Sequence, residues 1–267
     1  MHKVIVFTDI HFNASQRVKE INPALRLSNG LAHVAKYNAD ADRVLITGDL
    51  TDNGDVESYQ LLKSTLEKYN LPIELMIGNH DNRENFEAVF PTCNKNENAH
   101  IQWVEDIEDY SLIHLDTLFA PPYDYPRSHA GYLCEERLSW LEYQLAKRQA
   151  KRCIIFMHHP PHDVGFKAMD TIKLINGDAF YSVIEKFGNV KHIVCGHIHR
   201  TIFGIYNDIP FSIFKSTVGQ MPMLFETMDF KVETHEPAAY GILNLGKNGI
   251  TIHTEDFELT DLEAYQN

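Results

Sequence analysis

Short apolar runs that each end in a cluster of aspartate, asparagine, histidine and glycine recur through the first 200 residues, and they constrain the fold more than any other feature. Residues 3–8 (KVIVFT), 43–47 (RVLIT), 72–77 (PIELMI), 152–157 (RCIIFM) and 192–195 (HIVC) read as buried strands from their apolar content. Between them, residues 21–37, 56–69, 84–90, 135–148 and 179–187 carry apolar side chains at helical spacing. Strands alternating with helices specify an α/β fold whose helices cover a sheet. A hairpin-like pair is expected at 101–104 and 110–115, and the proline- and aromatic-rich loop 119–129 reads as a cover over something. After residue 201 the helical period disappears. Runs at 202–206, 210–215, 239–245 and 250–255 instead predict a C-terminal antiparallel section. An α/β fold of 267 residues commonly stays in one domain, so residues 1–267 are expected to form a single one.

Charge and composition remove several function classes. Acidic residues outnumber basic ones 37 to 24, for a net charge of −13, and no stretch gathers the cations into a stripe. A nucleic-acid polymer is therefore not an expected partner, because clustered cations carry that binding. No apolar run approaches the ~20 residues of a membrane helix, and no long apolar leader with a cleavage site follows Met1. A cytoplasmic protein without a membrane partner is expected. Cys93, Cys134, Cys153 and Cys195 form no C-x-x-C pair, which argues against a disulfide framework or a zinc knuckle. Cys153 and Cys195 read as buried thiols within strands. Fifteen histidines remain to be explained.

The polar clusters hold the chemistry. They are Asp9-Ile10-His11, Gly48-Asp49-Leu50-Thr51-Asp52, Gly78-Asn79-His80-Asp81, His158-His159-Pro160-Pro161 and Gly196-His197-Ile198-His199, each directly after a strand, where α/β sheets gather ligands. Oxygen and imidazole donors without thiolate suit divalent Mn, Fe, Co or Zn. Asp9 and His11, like His197 and His199, are two residues apart, so in extended chain they would point to opposite faces. They converge only if the backbone turns there, which the adjacent glycines permit. Seven candidate ligands exceed one tetrahedral ion and suit two ions sharing a carboxylate, a clamp roughly 3.5–4 Å across that serves displacement at phosphorus.

In order and placement these blocks resemble the calcineurin-like metallophosphoesterase superfamily, whose pattern is D-x-H, G-D-x-x-D, G-N-H-D, a histidine after a strand, and G-H-x-H. The H-H-P-P form and residues 131–145 (GYLCEERLSWLEYQL) resemble the branch of class III cyclic-nucleotide phosphodiesterases and glycerophosphodiesterases. The resemblance implies a four-layer αββα sandwich with mixed sheets. It implies Asp9, His11, Asp49 and His199 on one metal, with Asp49 bridging to a second held by Asn79, His158 and His197. Family usage puts the ligand at the strand end, hence His158 rather than His159. His80 matches the histidine that contacts phosphate and protonates the leaving alkoxide. The implied activity is attack of a metal-activated hydroxide on a small phosphodiester.

Other polar residues read differently. Asp52 and Asp81 are expected to orient ligands or backbone, His159 to support the site, and Arg200 to lie at the surface. His162 is open between substrate pocket and loop. Residues 213–240 read as a lid or a homo-oligomer contact, with residues 220–230 (QMPMLFETMDF) holding three of the seven methionines. Arg83 and Arg200 are the arginines nearest the blocks. That scarcity favours a diester over the more highly charged monoester. A phosphomonoesterase of the same fold and a non-catalytic metal-binding scaffold are the alternatives.

Overall fold

A computed structural model describes residues 1–18, 20–119 and 127–258. In chain order its elements are β1 (His2–Phe7), α1 (Pro23–Tyr37), β2 (Arg43–Thr47), α2 (Val56–Leu66), β3 (Ile73–Met76), α3 (Arg83–Val89), β4 (Trp103–Ile107) and β5 (Tyr110–Leu115). There follow α4 (Glu135–Lys147), β6 (Arg152–Met157), α5 (Lys167–Asp170), α6 (Gly177–Ile184), β7 (Val190–Cys195), β8 (Ile202–Tyr206), β9 (Ile209–Ile213), β10 (Tyr240–Gly246) and β11 (Gly249–Glu255). A five-stranded sheet has the order β11-β10-β1-β2-β3, and a six-stranded sheet the order β4-β5-β6-β7-β9-β8. Both are mixed: β1, β2 and β3 are parallel, as are β5, β6, β7 and β9, while β11 with β10, β10 with β1, β4 with β5 and β8 with β9 pair antiparallel.

Period-two alternation builds the layers. In β1, Val4 and Val6 face a cluster shared with Ile154, Phe156 and Val194 of the other sheet, so this cluster is the filling between the sheets. Ile5 and Phe7 face the opposite way, onto Leu27, Leu31 and Val34 of α1 and Tyr59 and Leu62 of α2. Cys153, Ile155 and Met157 of β6 likewise turn outward onto Trp140, Leu141 and Leu145 of α4 and Phe180 and Ile184 of α6. Three apolar layers between four layers of structure give the αββα sandwich. They also explain the unbroken apolar runs, since strands covered on both faces have no polar side.

Several boundaries depart from the sequence reading. The first hairpin strand lies at Trp103–Ile107 rather than 101–104, because Ile107 pairs with Tyr110 across a two-residue turn in which Glu108 has φ of 47°. Ile101 packs into the core instead. Helix α1 starts at Pro23, since the Asn22 side chain accepts from Leu25 N and proline suits the first turn. The four-residue helix α5 was too short for any periodicity to show. The C-terminal strands pair antiparallel as expected and are shared between the sheets: β8 and β9 extend the six-stranded sheet, and β10 and β11 extend the other through β1. In the expected cover 119–129, residues 120–126 lie outside the described residues. Among the described residues no helix is long and apolar enough to cross a membrane.

Candidate metal centre

Strands β1, β2 and β3 of one sheet and β6 and β7 of the other deliver their polar blocks to a common point. The loops after β1 and β2 stay paired beyond the strands, with His11 N donating to Asp49 O at 2.9 Å and Phe12 N to Leu50 O at 3.0 Å. Across the seam, His197 N donates to Asp9 Oδ2 at 3.0 Å, and within the six-stranded sheet Gly196 N donates to His158 O at 3.0 Å.

The turns required by the two-residue spacing are present as left-handed backbone. Asp9 (φ 52°), His11 (44°), Asp49 (48°), His197 (70°) and His199 (52°) all adopt it. Such conformations are costly for residues with a Cβ and persist where surrounding structure enforces them, typically at functional sites. Gly78 serves a different need: a Cβ there would lie 2.3 Å from Asp49 Oδ1 and 2.7 Å from His158 Nε2.

All seven candidate ligands come together. Asp9, His11, Asp49 and His199 place one donor atom each within 4.8 Å of the others. Within that group His11 Nε2 is 3.0 Å from His199 Nε2, and His199 Nε2 is 3.4 Å from Asp9 Oδ1. On the other side, His158 Nε2 lies 3.2 Å from Asn79 Oδ1 and 3.3 Å from Asp49 Oδ2. The His158 and His197 rings are 5.3 Å apart. Asp49 Oδ2 therefore faces both groups, being also 3.7 Å from His11 Nε2.

Hydrogen bonds select which imidazole nitrogen faces the centre. His158 Nδ1 donates to Thr47 O and His199 Nδ1 to Gly219 O, each at 3.0 Å, which leaves Nε2 as the inward lone pair. His159 has no such freedom, since Nε2 meets His129 O at 3.2 Å and Nδ1 meets Thr117 Oγ1 at 2.7 Å. His80 sits beside the group, its N donating to Asp49 Oδ1 at 2.9 Å and its Nδ1 to Asp52 O at 2.8 Å.

The electrostatics are those of a buried charged cluster. Burial disfavours ionised Asp9, yet His199 and His158 outweigh it and hold the carboxyl below its ordinary range. Asp49 is held well below by His158 and His80, again against burial. Burial opposes protonation of His158 too, but Asp49 and Asp9 raise its pKa to about 9. His197 goes the other way, driven well down by burial and then by His159 and His158. Its Nε2 is buried with no hydrogen-bond partner among the described residues.

The orienting residues are visible as well. Asp81 is buried and accepts from Gly78 N (2.8 Å), Leu50 N (3.0 Å), Thr51 N (3.1 Å) and Tyr59 Oη (2.9 Å), tying the β3 loop to the β2 loop. Asp52 Oδ1 lies 3.6 Å from His11 Nδ1. Arg200 donates to Met221 O and pairs with Glu236, and Arg83 pairs with Asp116, so both arginines are engaged away from the ligands. His162 bonds Tyr181 Oη at 2.8 Å and stacks on Tyr206, which packs it away from the centre. One site residue was missed in the sequence: His129, whose Nδ1 is 3.3 Å from Asn79 Nδ2. Its only signal was its place at the end of the expected covering loop. A separate triad of His100, Cys134 and Glu136 lies outside this cavity, with Arg137 Nε donating to Cys134 Sγ at 3.3 Å.

The centre opens into a cavity of about 420 Å³. It is lined by His11, Asp49, Asn79, His80, His129, His197 and His199 together with Met169, Ile172, Val218, Met221, Phe230, Lys231, Val232 and Glu233. Segment 213–240 divides: Met221 is buried and lines the cavity, while Met223, Leu224, Phe225 and Met228 are exposed.

Residues 2–201 match the family model described as calcineurin-like phosphoesterase. The chain is 37% identical to a probable cyclic nucleotide phosphodiesterase of Rhodopseudomonas palustris, over 96% of this chain and 92% of that protein. It is 34% identical to a probable glycerophosphodiester phosphodiesterase of Arcobacter nitrofigilis, over 77% of this chain and 75% of the relative. Among solved structures, a dimetal phosphatase from Danio rerio superposes with a TM-score of 0.71 over 95% of each chain at 13% identity, a likeness of fold.

Proposed function

The chain belongs to the calcineurin-like phosphoesterase family, and on that premise we propose that it is a metal-dependent phosphodiesterase acting on small diesters, cyclic nucleotides or glycerophosphodiesters. The observation that carries this reading is Asp49 Oδ2, which faces His11 Nε2 at 3.7 Å on one side and His158 Nε2 at 3.3 Å on the other. The residues fit two divalent ions, Mn, Fe, Co or Zn. The donors are carboxylate, carboxamide and imidazole, and the buried Nε2 of His197 has no other partner among the described residues. Asp9, His11, Asp49 and His199 would hold one ion, and Asn79, His158 and His197, with Asp49 shared, the other.

When bound, such ions neutralise charge on the phosphoryl oxygens and acidify water. The chain supplies position and protons. Thr47 O and Gly219 O fix the tautomers of His158 and His199. Asp81 locks the loops that carry Asp49 and Asn79. His80, with Nδ1 held by Asp52 O, keeps Nε2 to hold a proton and deliver it to the leaving alkoxide.

Diesters are favoured because, histidines aside, Lys231 is the one cation among the described residues lining the cavity, whereas a monoester dianion draws on more. Metal-free protein reconstituted with Mn²⁺, Co²⁺ or Zn²⁺ should hydrolyse cyclic AMP or a glycerophosphodiester in preference to an aryl monoester. A monoester preference above about tenfold in kcat/KM, some 1.4 kcal/mol of transition-state stabilisation, would make the enzyme a phosphomonoesterase. Tight metal binding without turnover of any ester would make it a scaffold.

A further inference from the structure

Three metal-binding side chains meet at a second place, outside the cavity. His100 lies in the loop before β4, Cys134 is the residue that opens α4, and Glu136 is in the first turn of that helix. His100 Nε2 is 4.0 Å from both Cys134 Sγ and Glu136 Oε2, and the three groups place one donor atom each within 4.8 Å of the others. None of the three lines the cavity beside Asp49.

We propose that this triad is a separate site for one Zn²⁺, held by His100 Nε2, Cys134 Sγ and a Glu136 carboxylate oxygen, with the fourth position left to water. The site is independent of the hydrolase reading. Thiolate, imidazole and carboxylate are zinc ligands, and the thiolate sets this site apart from the centre at Asp49, whose donors are oxygen and imidazole nitrogen. Two features favour the thiolate form of Cys134. It caps the 13-residue helix α4, whose N-terminus attracts negative charge, and Arg137 Nε donates to its Sγ at 3.3 Å. Arg137 is itself buried and fixed, with Nη1 donating to Asp116 O at 2.7 Å and Leu118 O at 3.1 Å, so its bond to sulfur orients the ligand. Arg83 and Arg137 share Asp116, but the Cys134 thiolate, Glu97, Glu135 and Glu136 outnumber them. The three glutamates line one surface groove, which concentrates cations beside the triad. His100 is also held in place: its N donates to Asn96 Oδ1 at 2.9 Å and its O accepts from Gln102 N at 2.8 Å. Tetrahedral zinc, with Zn–N about 2.0–2.1 Å and Zn–S about 2.3 Å, puts nitrogen and sulfur roughly 3.5 Å apart, so His100 and Cys134 close by only about half an ångström. Glu136 is exposed and has room to swing in.

Cobalt reports on this site alone, because Co²⁺ bound to a thiolate gives a near-ultraviolet charge-transfer band that oxygen and imidazole ligands do not, and none of the seven ligands of the other centre is a cysteine. Co²⁺ is titrated into the reduced, metal-free full chain. The band should saturate with about one equivalent bound at the triad and be displaced by Zn²⁺, which binds thiolate more tightly than Co²⁺ does. Cys134→Ser should abolish the band and remove about one equivalent of bound metal, with turnover of cyclic AMP kept within about twofold. Cys93→Ser should keep the band. His100→Ala and Glu136→Ala should each raise the Co²⁺ concentration at half-saturation at least about fivefold. No band in the natural chain, a band that survives Cys134→Ser, or one whose Co²⁺ dependence His100→Ala or Glu136→Ala leaves unchanged would overturn the proposal and leave a hydrogen-bonded triad only. A second readout needs no variant: Zn²⁺ should slow alkylation of Cys134 by iodoacetamide, followed by peptide mass spectrometry, at least about tenfold. An unchanged alkylation rate would overturn the proposal equally.

Discussion

Asp49 Oδ2 lies 3.3 Å from His158 Nε2, and the two residues belong to different sheets. Asp49 follows β2 of the five-stranded sheet and His158 follows β6 of the six-stranded one. The candidate centre is therefore built across the packing seam, and its geometry depends on how closely the two strand ends approach.

Gly78 controls that approach. A methyl at this position would meet Asp49 Oδ1 at 2.3 Å and His158 Nε2 at 2.7 Å, closer than any Cβ tolerates. Gly78→Ala is expected to lower bound metal and diester turnover together by tenfold or more (about 1.4 kcal/mol or above) while the far-ultraviolet circular dichroism stays native. Full metal content and activity in this variant would show that the seam is looser than described.

His80 is placed to protonate the leaving group, and its removal should be felt according to what leaves. A 4-nitrophenolate needs no proton, whereas an alkoxide does. His80→Ala should cost about 10²–10⁴-fold on cyclic AMP or a glycerophosphodiester and much less on bis(4-nitrophenyl) phosphate. Equal losses on both would assign His80 to binding alone.

Tyr59 supports the site from beneath. Its hydroxyl donates to Asp81 Oδ1 and accepts from Asn82 N, both at 2.9 Å, in a fully buried position. Tyr59→Phe removes both bonds, but Asp81 Oδ1 keeps Thr51 N and Thr51 Oγ1 and Asn82 is exposed to water, so urea unfolding should show a loss of about 0.5–1.5 kcal/mol. A change below about 0.5 kcal/mol would indicate that water takes the place of the hydroxyl.

Acid sensitivity should come partly from histidines outside the centre. Burial depresses the pKa of His114, stacked between Trp103 and Phe156, to about 3, and those of His192 and His162 to about 4. Because the folded values lie below the ordinary 6.5, the unfolded chain takes up the protons first. The stability they contribute is complete above pH 6.5 and falls as pH drops towards 3 or 4. Each group adds at most about 1.4 kcal/mol per pH unit. Denaturant titrations of metal-free protein between pH 6 and pH 4 should show a shallower loss for His114→Phe than for the natural chain, and parallel losses would contradict the assignment.

Much of this was legible because the relevant signals are local. A strand covered on both faces must be apolar throughout, and the residue after it must turn; Asp9, His11, Asp49, His197 and His199 show that turn as positive φ. The assignment of β8 and β9 to one sheet and β10 and β11 to the other was not legible, because pairing partners distant in sequence leave no periodic mark. The same holds for Phe230 and Val232, which read only as part of a lid or oligomer segment, while the fold brings them into one cavity with His11 and His199. His129 reaches Asn79 through a loop whose course depends on tertiary contacts, so its histidine could not be told from a surface one.

The most direct test of the account is the metal content and diester turnover of Asp49→Ala, measured by elemental analysis and by kcat/KM on cyclic AMP beside the natural chain. Asp49 Oδ2 faces His11 Nε2 at 3.7 Å and His158 Nε2 at 3.3 Å, the latter closer than the 3.8 Å from His158 Nε2 to Asp9 Oδ1. About two divalent ions are expected per natural chain, with loss of metal in the variant and turnover reduced by at least about 10³-fold. Stoichiometric metal with turnover within tenfold of the natural chain would contradict it.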